Sequence, residues 1–216
     1  MVFEDKKLQK AIIFWSEKNS LRNFPWRNTV DPYEIMLTEI MLRRTKAENV
    51  NKIWGDFFGM YYDEATFLRA NDEQIKMKLE TLGLVKHRIE AMREVAKYLF
   101  QGGELLRDNL MCIKGVGQYI SGMAVIMIKN TKCVVYDSNF RRLFSRFYDI
   151  DFGLSLKNNK LLEKYADKII PDVDPRGFVL SLLDFTAMVC KPKNPLCEEC
   201  NLKKDCAYYI NSNKNI

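Results

Sequence analysis

Four cysteines fall within residues 190–206 in the pattern C-x6-C-x2-C-x5-C: Cys190, Cys197, Cys200 and Cys206. Thiolates gathered that tightly repel one another unless a cation holds them, so the chain around them must fold as a metal loop or pair them off. The chain has six cysteines in all. A disulfide framework belongs to small secreted domains, whereas residues 1–7 contain no apolar run like that of a signal peptide. No stretch approaches the roughly 18 uncharged apolar residues of a membrane span. The expected setting is the cytoplasm of a prokaryotic type of cell, in association with the nucleoid, and there a tight cysteine group reads as metal ligands. Four thiolates complete either a tetrahedral zinc site or a four-iron cluster, and ligand softness does not separate the two. Cys112 and Cys133 stand apart and read as small core residues.

Behind the quartet, apolar residues recur at helical spacing over 4–18, 32–44, 46–59, 73–81, 86–101, 118–129, 138–148, 156–168 and 175–189, with few alternating stretches. The expected fold class is all-α. Turn residues separate these segments at Phe24-Pro25-Trp26, Asp31-Pro32, Gly102-Gly103, Gly115-Val116-Gly117 and Pro171 to Pro175. Asp31 before Pro32 is an efficient helix start. A hydrophobic fraction of 47% and a charged fraction of 29% exclude a disordered chain. The net charge of +6 favours a polyanionic partner without naming one.

Leu110 to Tyr119 reads as two short helices joined by a glycine hairpin. The backbone N–H groups of Gly115, Val116, Gly117 and Gln118 can cradle a phosphate there without reading base sequence. Asp137 follows Tyr119 by 18 residues and precedes a helix from Ser138, a common N-cap position. Glu39 lies among Ile35, Met36, Leu37, Ile40, Met41 and Leu42. It is either a buried carboxylate that needs a partner or a task, or one end of a surface pair with Arg43.

These strings together resemble the helix-hairpin-helix DNA glycosylases of the endonuclease III and MutY superfamily, over roughly residues 22 to 208. The cysteine spacing is similar to the family's [4Fe-4S] loop, which selects iron-sulfur over zinc. Phe24-Pro25-Trp26-Arg27 and residues 31–45 resemble the segment shared by mismatch thymine and adenine glycosylases. Lys114 departs from the family's usual proline.

The resemblance implies double-stranded DNA with a mismatched or damaged base as the partner, and a monomer. It implies a six-helix domain over 25–129 that carries the hairpin. A second helical domain would comprise 1–24 and 130–216, with a cluster loop at 190–206, and the two would enclose a DNA cleft. Asp137 would assist water in displacing the base, Glu39 would line the base pocket, and Arg44 and Leu84 would act as wedges that fill the vacated space. Arg43, Lys191 and Lys193 would meet the DNA backbone.

Bifunctional relatives carry a lysine at the position of Tyr119, whose amine attacks the sugar. Tyr119 cannot, so the chain is expected to be monofunctional. Tyrosine there follows the pattern of archaeal Mig-type thymine-DNA mismatch glycosylases acting on G·T and G·U. Adenine removal opposite guanine or 8-oxoguanine is the rival within the family, opposed by Tyr119 and by the short stretch after Cys206. A non-catalytic DNA-binding module with a zinc- or cluster-stabilised loop is the rival from another class. His87, beside Lys86 and Arg88, reads as a surface residue or a phosphate contact without chemistry of its own.

Overall fold

The computed structural model describes the backbone of residues 2–153 and 155–213. These residues form twelve α-helices and two 3-10 turns, with no strand among them. None of the described helices is long and apolar enough to cross a membrane. The chain divides into two compact units, Asn23–Lys129 and the paired segments Met1–Arg22 and Asn130–Ile216.

In the first unit, α2 (Pro32–Leu42) is buried on nearly every side. It packs against α6 (Val85–Phe100) and α8 (Gln118–Lys129). Asp31 starts α2 as expected, with its carboxylate accepting from the Glu34 N–H at 3.0 Å and Pro32 filling the first turn. The helix stops at Leu42, short of the expected residue 44, because Arg43 turns extended and Arg44 is left-handed at φ +54°. Phe57 of α3 (Ala47–Met60) joins Tyr33, Phe58, Tyr61 and Phe67 in an aromatic core. Two further helices, α4 (Glu64–Arg69) and α5 (Asp72–Leu79), start on the side chains of Asp63 and Asn71. The six residues of α4 were too few for periodicity to reveal. So were the seven of α12 (Ala207–Asn213) in the other unit.

The second unit packs α1 (Val2–Lys18) on α11 (Pro175–Met188) and α10 (Lys160–Ile169). Its α9 (Ser138–Tyr148) touches α10, α11 and α12. Leu8, Ile12, Phe140, Phe144 and Phe185 are fully buried there. Fully buried Asp184 accepts from the backbone N–H of Arg22 at 2.9 Å and from its Nε at 2.6 Å, tying the end of the N-terminal segment to α11. The expected helix from residue 156 begins only at Lys160, because the Asn159 side chain accepts from the Leu162 N–H and sets the start.

Cys112 corrects an expectation. It is exposed, not a core residue, because it follows the last residue of the short helix α7 (Arg107–Met111) and turns toward solvent. Cys133 is half-buried.

The hairpin joins α7 to α8. Gly115 has φ +88°, and a Cβ there would meet the Ala91 Cβ of α6 at 2.4 Å. Left-handed backbone and a close helix approach thus both require glycine. A Cβ on Gly117 would meet nothing within 4 Å. Gly115→Ala should therefore lower stability by about 2 to 4 kcal/mol, adding left-handed strain to overpacking. Gly117→Ala should shift it by less than about 1 kcal/mol. Chemical denaturation of the two variants checks the contrast, and equal losses would contradict it.

Candidate functional site

Within the Asn23–Lys129 unit, the expected site residues gather at the C-terminal end of α2. Glu39 is 3% exposed, which removes the surface-pair reading. Arg43 Nη1 instead donates to the Gly115 carbonyl at 3.2 Å, linking α2 to the hairpin turn. Arg44 and Leu84 are exposed residues in left-handed conformations, at φ +54° and +51°. Leu84 is therefore not a core leucine. Gly115 and Gly117 are exposed, Val116 is buried, and Gln118 and Tyr119 are half-buried on the first turn of α8.

In the other unit Asp137 caps α9. Its Oδ1 accepts from the N–H of Asn139 at 2.6 Å and of Phe140 at 3.3 Å. Burial raises the Asp137 carboxyl above the ordinary value of 3.8, against the lowering effect of these bonds, of the Asn139 side chain and of the Arg142 charge. One turn on, Arg142 Nη2 donates to Asn139 Oδ1 at 2.9 Å and to the Thr186 carbonyl at 3.0 Å, and Nε donates to the Cys190 carbonyl at 3.0 Å. A continuous set of bonds thus runs from the turn bearing Asp137 to the cysteine loop.

The four cysteines line one small pocket with Leu143, Phe147, Phe185 and Leu202. Arg146 reaches into the loop. Its Nη1 donates to the Lys191 carbonyl at 2.7 Å and lies 3.4 Å from Cys190 Sγ, while its Nη2 donates to the Pro192 carbonyl at 3.1 Å. Burial first, and the neighbouring thiols second, raise Cys197; burial pushes Cys200 up to about 11. Such a set stays protonated without a cation and becomes a strong ligand group with one. Among the described residues, no three His, Cys, Asp or Glu side chains are grouped as ligands of a single metal ion. Lys193 is exposed and Lys191 half-buried.

Arg88, Arg142 and Arg146 were passed over in the sequence, although each left a trace. Arg88 falls on the apolar stripe of Met92 and Val95, where a solvated residue does not belong. Arg142 and Arg146 are like charges four apart, which repel on a helix unless acceptors surround them.

The family model for "HhH-GPD superfamily base excision DNA repair protein" matches residues 37–171. A "Thymine/uracil-DNA glycosylase" of Methanothermobacter thermautotrophicus is 34% identical over 202 residues, 92% of this chain and 90% of the relative. Among solved structures, a thermostable thymine-DNA glycosylase superposes with a TM-score of 0.89 at 33% identity, covering 96% of this chain and 97% of the other. A non-covalent endonuclease III–DNA complex superposes at 0.83 with 18% identity, covering 99% of each, and so shares the fold.

Proposed function

The chain belongs to the HhH-GPD superfamily of base excision DNA repair proteins, and we propose that it is a monofunctional DNA glycosylase that removes thymine and uracil from mismatches with guanine. The observation that carries this reading is the 34% identity to the thymine/uracil-DNA glycosylase over nine-tenths of both chains. Double-stranded DNA is the partner, the protein acts as a monomer, and it works in the cytoplasm beside the nucleoid. The two units of the chain serve as the two domains of the enzyme.

An enzyme acting on a base within a duplex must first take it out of the stack. The exposed hairpin turn supports a phosphate grip: Gly117 leaves open space in front of the backbone, and backbone N–H groups bind phosphate without reading sequence. Arg43, which holds the hairpin through Gly115, together with Lys191 and Lys193, adds positive charge for the backbone. Arg44 and Leu84 fill the space the base vacates. Glu39, buried in α2, lines the pocket and hydrogen-bonds the base.

Asp137 performs the chemistry. As the glycosidic bond breaks, positive charge grows on the deoxyribose, and the ionised carboxylate stabilises it and orients water for attack at C1′. Its fixed position follows from the two backbone bonds that make it a helix cap. Tyr119 presents a phenol and no amine, so no Schiff base forms and the abasic strand stays intact.

Cys190, Cys197, Cys200 and Cys206 would hold a [4Fe-4S] cluster. When bound, the group supplies four iron–thiolate bonds that fix the loop bearing Lys191 and Lys193. The C-x6-C-x2-C-x5-C spacing, which resembles the family's iron-sulfur loop, supports it over zinc. Arg146 beside Cys190 suits the net negative charge that either thiolate-bound centre would carry.

Duplexes carrying G·T, G·U, A·G and A·8-oxoguanine, heated in alkali after incubation, test the reaction. Strand breaks on G·T and G·U that appear only after alkali are expected, with no borohydride-trapped complex. Breaks without alkali would overturn the monofunctional reading, and activity confined to the adenine pairs would favour the adenine enzyme.

Protein purified without oxygen should be brown and should contain iron and acid-labile sulfide in equal amounts. One zinc per chain with no sulfide would replace the cluster with a zinc loop and leave the glycosylase reading intact.

The pH profile follows from Asp137. The ionised form is active, so the single-turnover rate should fall as pH drops through the folded-state pKa, which burial places above 3.8. Asn139→Ala removes a bond that favours the carboxylate and should move the acid limb to higher pH. Asp137→Asn keeps a competent cap and should abolish the limb with most of the rate, on the order of a hundredfold or more. A limb unmoved in Asn139→Ala would disconnect Asp137 from the profile.

A further inference from the structure

We propose that Arg88 is a positioning residue for base extrusion: its guanidinium locks the turn carrying Arg44 and the turn carrying Leu84 into one rigid pair, so that both side chains enter the duplex together. This inference rests on the glycosylase reading above.

Arg88 lies in the first turn of α6 and is 2% exposed. Its acceptors come from two separate stretches. From the end of α2 and the turn after it, Nη1 bonds the carbonyls of Ile40 and Met41, and Nη2 reaches the Arg43 carbonyl at 2.8 Å and Thr45 Oγ1 at 2.7 Å. From the loop before α6, Nη2 reaches the Leu82 carbonyl at 3.2 Å and Nε the Gly83 carbonyl at 2.8 Å. Thr45 Oγ1 also donates to the Leu82 carbonyl at 3.2 Å, a second bridge across the same gap. None of these acceptors is a carboxylate. The cation is held by carbonyls, several at the C-terminal end of α2 where the helix dipole is negative.

The residues flanked by these bonds are the two that need holding. Arg44 and Leu84 both have positive φ without being glycine. Such conformations persist only where the surroundings over-determine them, and they cluster where strain serves a task. The bonds to Arg43 and Thr45 bracket Arg44, and the bonds to Leu82 and Gly83 lead directly into Leu84. Both side chains remain exposed. Buried cation, strained turns and exposed tips have one common purpose: a wedge pushed against stacked bases must not yield.

A plain helix cap would need only the α2 carbonyls. The second set of acceptors, across the gap, is what a cap does not require. Lysine cannot replace this arrangement, because its three donors diverge from a single point while the guanidinium offers five in a fixed planar fork.

The test compares wild type with Arg88→Lys, Arg88→Met and Thr45→Val. Each is measured for thermal melting, for affinity to undamaged duplex, and for fluorescence of a 2-aminopurine placed beside the thymine of a G·T pair. Single-turnover excision is then followed on that duplex and on a thymine opposite an abasic site, where leaving the stack costs less. Melting of Thr45→Val should stay close to wild type. That of Arg88→Lys should fall, because buried carbonyls lose donors, while the protein stays folded at the assay temperature. Duplex affinity should stay within about threefold for both. Excision from G·T should fall on the order of 30- to 100-fold in Arg88→Lys, as misplacement by about an ångström does, with the fluorescence rise lost in parallel. Thr45→Val should fall less. Excision opposite the abasic site should recover to within about fivefold of wild type, a rescue that a merely structural arginine would not give.

Wild-type rates on G·T in both Arg88→Lys and Thr45→Val would overturn the proposal, as would equal losses on the two substrates. If Arg88→Met does not fold, the other two variants decide. If wild type excises neither thymine nor uracil, the glycosylase reading fails, and the fluorescence signal alone still judges the clamp.

Discussion

Guanidinium groups gathering backbone carbonyls hold both units of this protein in shape. Arg88 takes the end of α2 and the loop before α6. Arg93, one and a half turns further along α6, takes the carbonyls of Phe67, Leu68 and Ala70 at the end of α4. In the other unit Arg142 takes the end of α11, and Arg146 takes the first residues of the cysteine loop. The chemistry suits the task. The last carbonyls of a helix have no partner within it and carry partial negative charge, and arginine supplies several donors that do not deprotonate. Burial and a neighbouring Arg43 lower the Arg88 pKa, but from so high a starting value that the cation persists. The arrangement makes the ends of helices, normally the places that fray, into fixed points.

Fixed ends explain where the proposed functional groups lie. Asp137, Arg44, Leu84 and the hairpin glycines are all on turns, where side chains and backbone donors can reach a large partner, and each turn is tied to a helix behind it. Arg43 bonds the Gly115 carbonyl, and Arg142 bonds the Asn139 side chain beside the Asp137 cap. Loops chosen for reach are ordinarily mobile. Here each turn is tied by an arginine, without a large apolar contact over its exposed side.

The helices were legible because long amphipathic segments have a period that sequence displays. The all-α class and the Asp31 start of α2 were read correctly for that reason. Helix ends were less legible: α2 ends early because Arg43 and Arg44 leave helical geometry, and that departure is fixed by Arg88, 44 or more residues away along the chain. Short helices such as α4 escaped notice because six residues hold less than two periods. Cys112 was misplaced for a related reason, since a cysteine's burial depends on which side of a helix end it falls. The four clustered cysteines do line one cavity, as their spacing invited. The arginines were missed because a charged residue near a helix end reads as solvated until its distant carbonyls are in view.

In the function proposed above, Asp137 carries a structural and a chemical task without conflict. A helix cap requires an acceptor held at the first turn, and a group that stabilises developing positive charge requires a carboxylate held at a fixed place. The cap meets the second requirement by meeting the first, since Oδ1 is committed to the Asn139 and Phe140 N–H groups and cannot swing away. The electrostatics pull in opposite directions. The helix N-terminus and Arg142 favour the anion, whereas burial disfavours it more strongly and raises the pKa. A carboxylate raised in this way is less well stabilised in the resting protein than one in water. Positive charge appearing nearby therefore lowers its energy by more, and the gain is confined to the transition state, where it accelerates the reaction instead of tightening binding.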